Sequence, residues 1–371
     1  MTSAMRSDIC IVGGGPAGLA AALALRQQNF RVTVVDCAVP PIDKACGEGL
    51  MPDSVAALQR LGVELPKETG RRFRGIRFSD RTSTVTGDFP NGYGLGVRRF
   101  RLHELLVKRA EAAQVELIWD AKNVRLTENG VSIHGESLAA HFVVGADGLK
   151  SSVRHSAGLE AVKSERRRYG FRRHYKITPW SDYVELYWGP RGQFYVTPIA
   201  PDEICLAFIS RDSKLRVDSA LTDFPSLRER LAGAPHGSDE MGSISVSRSF
   251  KRIYKDGLAL LGDASGSVDA ITGEGMCLAF KQAEALALAL RDGDLKKYAQ
   301  RHKSISAKPR MMASLMLTME WHSEIQRRAL ASLAKRPQLF EALLQFHVGE
   351  TTWAALCSRQ LLGFGLDFLT A

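Results

Sequence analysis

No two cysteines in this 371-residue chain are spaced as C-x-x-C, and the six present (Cys10, Cys37, Cys46, Cys205, Cys277, Cys357) are scattered. Neither a zinc site nor a disulfide framework is encoded, so no metal is expected and reduced, cytoplasmic thiols are the default. No run of about 18 apolar residues occurs, which predicts no spanning helix. The opening MTSAMRSDICIVGGG has no apolar stretch ahead of its first strand, so no secretory leader is expected. Internal repeats and low-complexity segments are missing too. Acidic residues are the scarcer charge: 40 against 50 basic ones, a formal net charge of +10. That surplus suits an anionic cofactor, an anionic substrate or a membrane surface. The arginines fall in short clusters (Arg71-Arg72, Arg98-Arg99, Arg166 to Arg168, Arg172-Arg173) and form no long basic tract, so nucleic acid is not an expected partner. A chain of this length, 45% hydrophobic and 24% charged, suits a globular protein of two interpenetrating domains.

Against these absences stands one organised segment, from Ile9 to Asp36. Ile9 to Val12 is a short apolar run, as for a buried parallel strand. Gly13-Gly14-Gly15-Pro16-Ala17-Gly18 fits G-x-G-x-x-G, and Leu19 to Gln28 has good helix propensity. A second strand, Arg31 to Val35, ends in Asp36, about 20 residues on, where a ribose-binding carboxylate is needed. Gly13 permits a tight turn, Gly15 lets backbone approach a pyrophosphate, and Gly18 lets helix pack on strand. The helix N-terminus faces the phosphates. This arrangement predicts a dinucleotide site but does not separate NAD from FAD.

Two later segments narrow the choice. Phe142 to Arg154, FVVGADGLKSSVR, runs a strand into Gly145-Ala146-Asp147-Gly148. Gly257 to Gly275, GLALLGDASGSVDAITGEG, leads into an apolar helix, Met276 to Leu290. These three segments, in this order, resemble the flavin hydroxylases and geranylgeranyl reductases, which share one FAD fold. The resemblance implies an α/β protein: a Rossmann-like FAD-binding domain (1–70, 98–158 and 253–298), an interleaved antiparallel β-sheet substrate domain (71–97 and 159–252) and a C-terminal helical region (299–371). It implies FAD as cofactor, with Asp263 accepting from the ribityl chain and Gly273, Gly275 and Met276 closing on the ring. A helix N-terminus there favours the negative charge of reduced flavin. Asp147 lies near the cofactor cleft, or simply orients its turn. Arg99 to Leu106 looks like the superfamily's R-x-x-L-x-x-x-L helix, whose leading arginine approaches the FAD phosphates; a solvated helix start is the alternative. Val124 falls where the family sets a backbone amide against the adenine. No second G-x-G-x-x-G occurs, but the superfamily binds NAD(P)H without one, and NAD(P)H is the expected reductant.

Gly70 to Gly96 and Glu160 to Arg252 alternate apolar and polar residues, as in YVELYWG, GQFYVTPIA and EICLAFIS. They predict one smaller sheet over the flavin, with the chain turning at Pro198. His174 and Tyr195 are the titratable candidates for catalysis there, each equally suited to a satisfied core position. Met311, Met312, Met316 and Met319 suit adaptable core, or an apolar tunnel for a lipid-like substrate. The amphipathic runs from Leu339 to Leu369, with Trp353, suit a cap on the cleft, self-association or peripheral membrane contact.

The loop KACGEGLMP, 44 to 52, follows Asp36 and is expected beside the flavin, with Gly47 giving clearance. Cys46 either lines the pocket or does redox or proton work there. This loop and Thr272-Gly273-Glu274-Gly275 look like geranylgeranyl reductases. The Arg99 helix and the strand before it look hydroxylase-like, although Gly266 stands where hydroxylases have histidine, and the W-x-W-x-I-P element of flavin halogenases is absent. Three functions follow: a monooxygenase hydroxylating a bulky apolar or aromatic small molecule, which is the leading expectation; an ene-reductase of an isoprenoid or polyene; and a non-catalytic prenyl-binding relative.

Overall fold

The computed structural model describes residues 6–352. The apolar run at the N-terminus becomes the strand Arg6–Val12, which pairs in parallel with Val32–Val35 on one side and Glu136–Gly145 on the other. Leu258–Leu260 and Glu116–Ile118 extend the parallel sheet outward. Strands buried on both faces need cover above and below. One face is covered by the helices Pro16–Arg26, Arg99–Ala112 and Gly275–Arg291, whose Leu19, Leu23, Leu106 and Leu286 enter the main core. The other is covered by an antiparallel ribbon, Arg125–Thr127 with Gly130–Ile133, which brings in Val131. Pro16 at the first turn starts its helix, where its missing N–H costs nothing.

The alternating segments form a second sheet of eight strands, equal in strand number to the first rather than smaller. Both inserts contribute. Gly75–Ser79 and Thr84–Asp88 come from the first, five long strands between Val162 and Phe250 from the second, and Gly266–Ser267 completes the edge. The chain does not turn at Pro198. The strand Gly192–Ala200 continues past it, with a register shift between Pro198 and Ala200 that absorbs the missing N–H. One face of this sheet packs on the short helices Val217–Leu221 and Pro225–Arg230 through Phe194, Phe208 and Phe224. A third, three-stranded sheet ties Gly49–Leu50 to Gly94–Gly96 and Arg71–Phe73.

The C-terminal part is helical, as its pattern predicts: Leu295–Trp321, Ser323–Lys335 and Pro337–His347. Their Leu330, Leu333, Leu339 and Phe340 pack on Ile76, Val85 and Leu186 of the second sheet. Trp353 and the segment to Leu369 lie outside the described residues. Among those residues, no helix is long and apolar enough to cross a membrane.

The long helix is locked to the cofactor side by His302, whose Nε2 lies 2.8 Å from Ser265 Oγ, and by Tyr298, whose hydroxyl donates to Leu260 O at 2.7 Å. Burial pushes His302 down to about 4. An unfolded histidine takes a proton near pH 6.5, so falling pH favours the unfolded chain across the window from about 6.5 to about 4. His302 thus contributes stability above that window and loses at most about 3 kcal/mol within it. Urea titrations at neutral pH and near pH 4.5 test this. The stability gap between wild type and His302→Gln should narrow on acidification, and a constant gap contradicts the assignment.

Candidate active site

The first strand ends at Gly13, which takes φ +114°, and a Cβ there would come within 2.4 Å of Ala146 O. At Gly18 a Cβ would meet Gly13 O at 1.8 Å, so the helix starts this close to the strand only with glycine. Gly15 faces open space at the helix N-terminus. Asp36 is held by Gly14 N–H at 2.6 Å and Ala38 N–H at 2.8 Å. Behind the turn, His103 bridges two loops: Ile42 N–H donates to Nδ1 at 3.3 Å and Nε2 lies 2.8 Å from Gly14 O. Desolvation holds this imidazole below its usual pKa. The neutral tautomer with the proton on Nε2 satisfies both bonds.

A cavity of about 1120 Å³ begins at this turn and continues to the helix Pro337–His347. At its cofactor end it is lined by Gly13, Gly15, Pro16, Ala17, Asp36 and Arg99. Gly18 lies behind that wall. Val124, just before its strand, and Asp147, Asp263, Gly273, Gly275 and Met276 line it further along. The sequence expectations for the cofactor thus converge on one concavity.

Its polar atoms fit FAD. Arg99 lines the cavity, and its buried Nε has no hydrogen-bond partner among the described residues, which leaves a donor for an anion. Asp263 sits on a turn with its side chain 41% exposed, 3.4 Å from Lys44 Nζ. Gly273 and Gly275 face open space ahead of the helix Gly275–Arg291. Asp147 is mainly a local clamp: Oδ2 accepts from Ser152 N–H at 2.6 Å, Ser152 Oγ at 3.0 Å and Val153 N–H at 3.1 Å.

The loop at 44–49 forms the wall between cofactor end and β-sheet, and Cys46 and Gly47 line the cavity. Cys46 Sγ accepts from Glu48 N–H at 3.4 Å, and Gly47 O accepts from Thr197 Oγ1 at 2.7 Å. Glu48, at φ +58° and 1% exposed, is the pivot. Its carboxylate accepts from Arg99 N–H at 3.0 Å and Arg172 Nη1 at 3.3 Å, and lies 2.7 Å from His174 Nε2. His174 Nδ1 lies 2.7 Å from Ser238 Oγ, and Arg172 Nη2 donates to Asp43 at 2.8 Å. His174 is therefore not on the cavity wall. It is fully buried behind the loop, because Glu48 and Ser238 take both of its nitrogens. Glu48, His174 and Cys205 bring ligand-type atoms within 4.8 Å of one another. The Arg172 guanidinium already sits among them, which opposes a cation there.

Tyr195 does line the cavity, but its hydroxyl donates to Ile271 O at 2.7 Å, and burial pushes the phenol well above its usual pKa. Beyond it the walls are apolar. Ile76, Phe78 and Leu186 come from the sheet, and Leu333, Phe340 and Leu344 from the terminal helices. Met312, Met316 and Met319 line this part, while Met316 also belongs to the core. The methionines thus serve both expectations, since one stripe can pack inward on one side and face a tunnel on the other. Where the apolar part meets the cofactor end, His347 lines the cavity, with Nδ1 3.6 Å from Glu274 Oε2. Glu274 is 5% exposed, its Oε2 has no hydrogen-bond partner among the described residues, and burial raises its pKa.

Glu48, Arg172, His103, Glu274 and His347 carry much of this geometry without having been singled out from sequence. Glu48 and Glu274 were in view as the acid between glycines in G-E-G, a spacing that places one carboxylate on a loop with little other bulk. The others carry no local pattern.

A family model described as FAD binding domain matches residues 6–301. Menaquinone reductase of Mycobacterium tuberculosis is 27% identical over 318 residues, 78% of this chain and 78% of the relative. Digeranylgeranylglycerophospholipid reductase 2 of Methanopyrus kandleri is 29% identical over 300 residues, 73% of this chain and 74% of the relative. A 6-methylpretetramide 4-monooxygenase of Streptomyces rimosus is 28% identical, over 77% of this chain and 76% of the relative. Among solved structures, a flavoprotein/dehydrogenase from Cytophaga hutchinsonii superposes with a TM-score of 0.81 at 17% identity, over 98% of each chain, and so shares the fold. The resemblance read from the three motif segments is borne out.

Two outcomes test the geometry. Arg99→Ala and Asp263→Ala should each weaken FAD binding at least tenfold by fluorescence titration, since a charge-assisted contact contributes about 1.5–3 kcal/mol. Unchanged affinity removes the residue from the site. Glu48→Ala leaves Arg172 and His174 buried without their acceptor and should cost about 3–5 kcal/mol in urea unfolding, while Glu48→Gln should cost clearly less.

Proposed function

This chain belongs to the FAD binding domain family and is a flavin-dependent oxidoreductase, and from that premise we propose that it saturates a carbon–carbon double bond in an elongated, apolar substrate of isoprenoid or polyene type. The observation that carries this is the apolar arm of the cavity, which leaves the ring end of the cofactor site beside Glu274 and His347 and is walled by Phe78, Leu186, Leu333, Phe340 and Leu344. Such walls bind hydrocarbon by burial alone, at about 25 cal/mol per Å². The two reductase relatives support the same reading.

The protein's own residues divide the work. The helix N-terminus after Gly15 and Arg99, which lines the cavity, would hold the cofactor's phosphates, and Asp36 and Asp263 would hold its sugar and ribityl hydroxyls. When bound and reduced, the flavin supplies a hydride, and a nicotinamide cofactor is the expected source of its electrons. Phe78 and Phe340, with ring centroids 5.0 Å apart, close the arm against water. Saturation also needs a proton on the second carbon. His347 lines the arm, and Glu274, favoured in its protonated form by burial, stands behind Nδ1 to replace that proton.

A second reading, hydroxylation of a bulky apolar or aromatic molecule, is favoured by the monooxygenase relative. It needs the same dry cavity but no proton donor on the arm.

Single turnover separates the two. The reduced protein is mixed without oxygen with a polyprenyl alcohol, which carries no quinone ring for the flavin to reduce, and product is read by mass. Gain of two hydrogens before oxygen enters supports reduction, and gain of one oxygen atom only after admission overturns it. His347→Phe should lower reductive turnover about a hundredfold with FAD affinity unchanged.

A further inference from the structure

Arg168 lies in the strand Val162–Lys176, opposite Ser245, which lines the cavity. Its side chain is only 3% exposed. A guanidinium this deep needs acceptors, and three separate elements supply them. Gln193 Oε1 accepts from Nη2 at 2.7 Å, and Glu320 Oε1 accepts from Nη2 at 2.9 Å. Gln193 belongs to the strand Gly192–Ala200 and Glu320 to the last turn of the long helix, so these two bonds join the sheet to the far wall. The third bond goes elsewhere. Asp269 Oδ1 accepts from Arg168 Nη1 at 3.0 Å, and the same oxygen accepts from Ile271 N–H at 3.1 Å. Asp269 thereby caps the short turn Ala270–Thr272.

That turn stands at the ring end of the cofactor site. Ala270, Ile271, Thr272 and Gly273 all line the cavity, and Gly273, at φ +70°, leads toward the helix Gly275–Arg291. Only Glu274 separates that glycine from the helix. A second strut meets the same turn, where Tyr195 donates to Ile271 O at 2.7 Å. Both backbone groups of Ile271 are thus tied to the second sheet: its N–H through Asp269 and Arg168, its C=O through Tyr195. The first amides of a helix have no partner within it, and their positive end favours negative charge nearby. Fixing the turn therefore fixes how closely those amides approach the ring.

We propose that Arg168 is a positioning residue for the flavin: acting through Asp269, it holds the Ala270–Thr272 turn and the helix start behind it where their amides favour the reduced ring. Tyr195 shares the task from the carbonyl side, which gives this phenol a use that does not require it to lose its proton. Glu320, on the same guanidinium, anchors the long helix and has no part in it. The proposal needs only the flavin site and is independent of what the apolar arm accepts.

The test reads an equilibrium of the bound flavin and not turnover. The FAD-loaded protein is reduced stepwise against a reference dye, and the ratio of reduced to oxidised flavin is read from the visible spectrum. Arg168→Lys keeps the charge but offers one point in place of a fork, so it cannot serve all three acceptors. At a fixed dye potential the ratio should fall by about fivefold or more, because the helix start moves off the ring. FAD affinity should stay within about threefold of wild type, since the phosphate contacts are untouched. Asp269→Ala should give the same fall, and adding Arg168→Lys to it should lower the ratio no further, because the arginine acts through the acid. Tyr195→Phe should shift the ratio in the same direction. Glu320→Gln should lower the melting temperature and leave the ratio as in wild type. An unchanged ratio in Arg168→Lys overturns the proposal. So do additive falls in the double variant, or an equal fall in Glu320→Gln, because Arg168 then acts on the fold as a whole. If Arg168→Lys does not retain FAD, the comparison of Asp269→Ala with Glu320→Gln decides by the same outcomes: a fall in the first alone supports the proposal, and no fall or equal falls overturn it.

Discussion

Glu48 lies on a loop, at a backbone angle that side chains avoid, with its carboxylate out of water. A buried carboxylate is tolerated only when donors surround it. Here they come from separate parts of the chain: the first amide of the Arg99–Ala112 helix, and Arg172 and His174 on a long strand of the second sheet. Three segments distant in sequence therefore meet on two oxygens. Moving any of them leaves a charge unpaired in the interior. This makes the loop's position an all-or-none property, and the loop is the wall that Cys46 and Gly47 present to the cavity.

Other charged groups repeat this logic at lower stakes. Arg154 reaches Leu149 O and Ala264 O, joining the Ala146-Asp147-Gly148 turn to the Gly262-Asp263 turn. His103 joins the glycine turn to the chain at Ile42. The cofactor cradle is assembled from short turns, each fixed by a side chain from elsewhere. Glycines supply clearance at the surface of the cradle, and polar side chains supply rigidity from behind.

Most of the cradle was legible in the sequence because its requirements are local. A turn needing φ +114° demands glycine, and a helix pressed on a strand demands another, so the pattern is written in consecutive residues. The alternation of the second sheet was legible for the same reason. Three things were not. The strand through Pro198 continues because its neighbours hold it, which a proline rule applied to one strand does not see. For His174 the sequence left catalysis and a satisfied core position equally open, and pairing with Glu48, 126 positions away, draws it behind the loop. Glu274 and His347 meet only because the last helices fold back over the second sheet, and no spacing in the chain encodes that contact. Cys46, the residue the local pattern made most conspicuous, is a wall whose placement is owed to the glutamate two positions later.

The cavity is built from two sources that share little of the chain. Its cofactor end is formed by turns no later than residue 276, and much of its far wall by helices that begin at Leu295. The joints between them, at Ser265 and His302 and at Arg168 and Glu320, lie off the apolar lining itself. A substitution at Met316, Leu333 or Phe340 therefore reshapes the space offered to a substrate without touching a residue that holds the flavin. Substitutions on the helices between Leu295 and His347 can therefore vary the guest, together with Ile76, Phe78 and Leu186 of the sheet, while the glycine turns keep the chemistry.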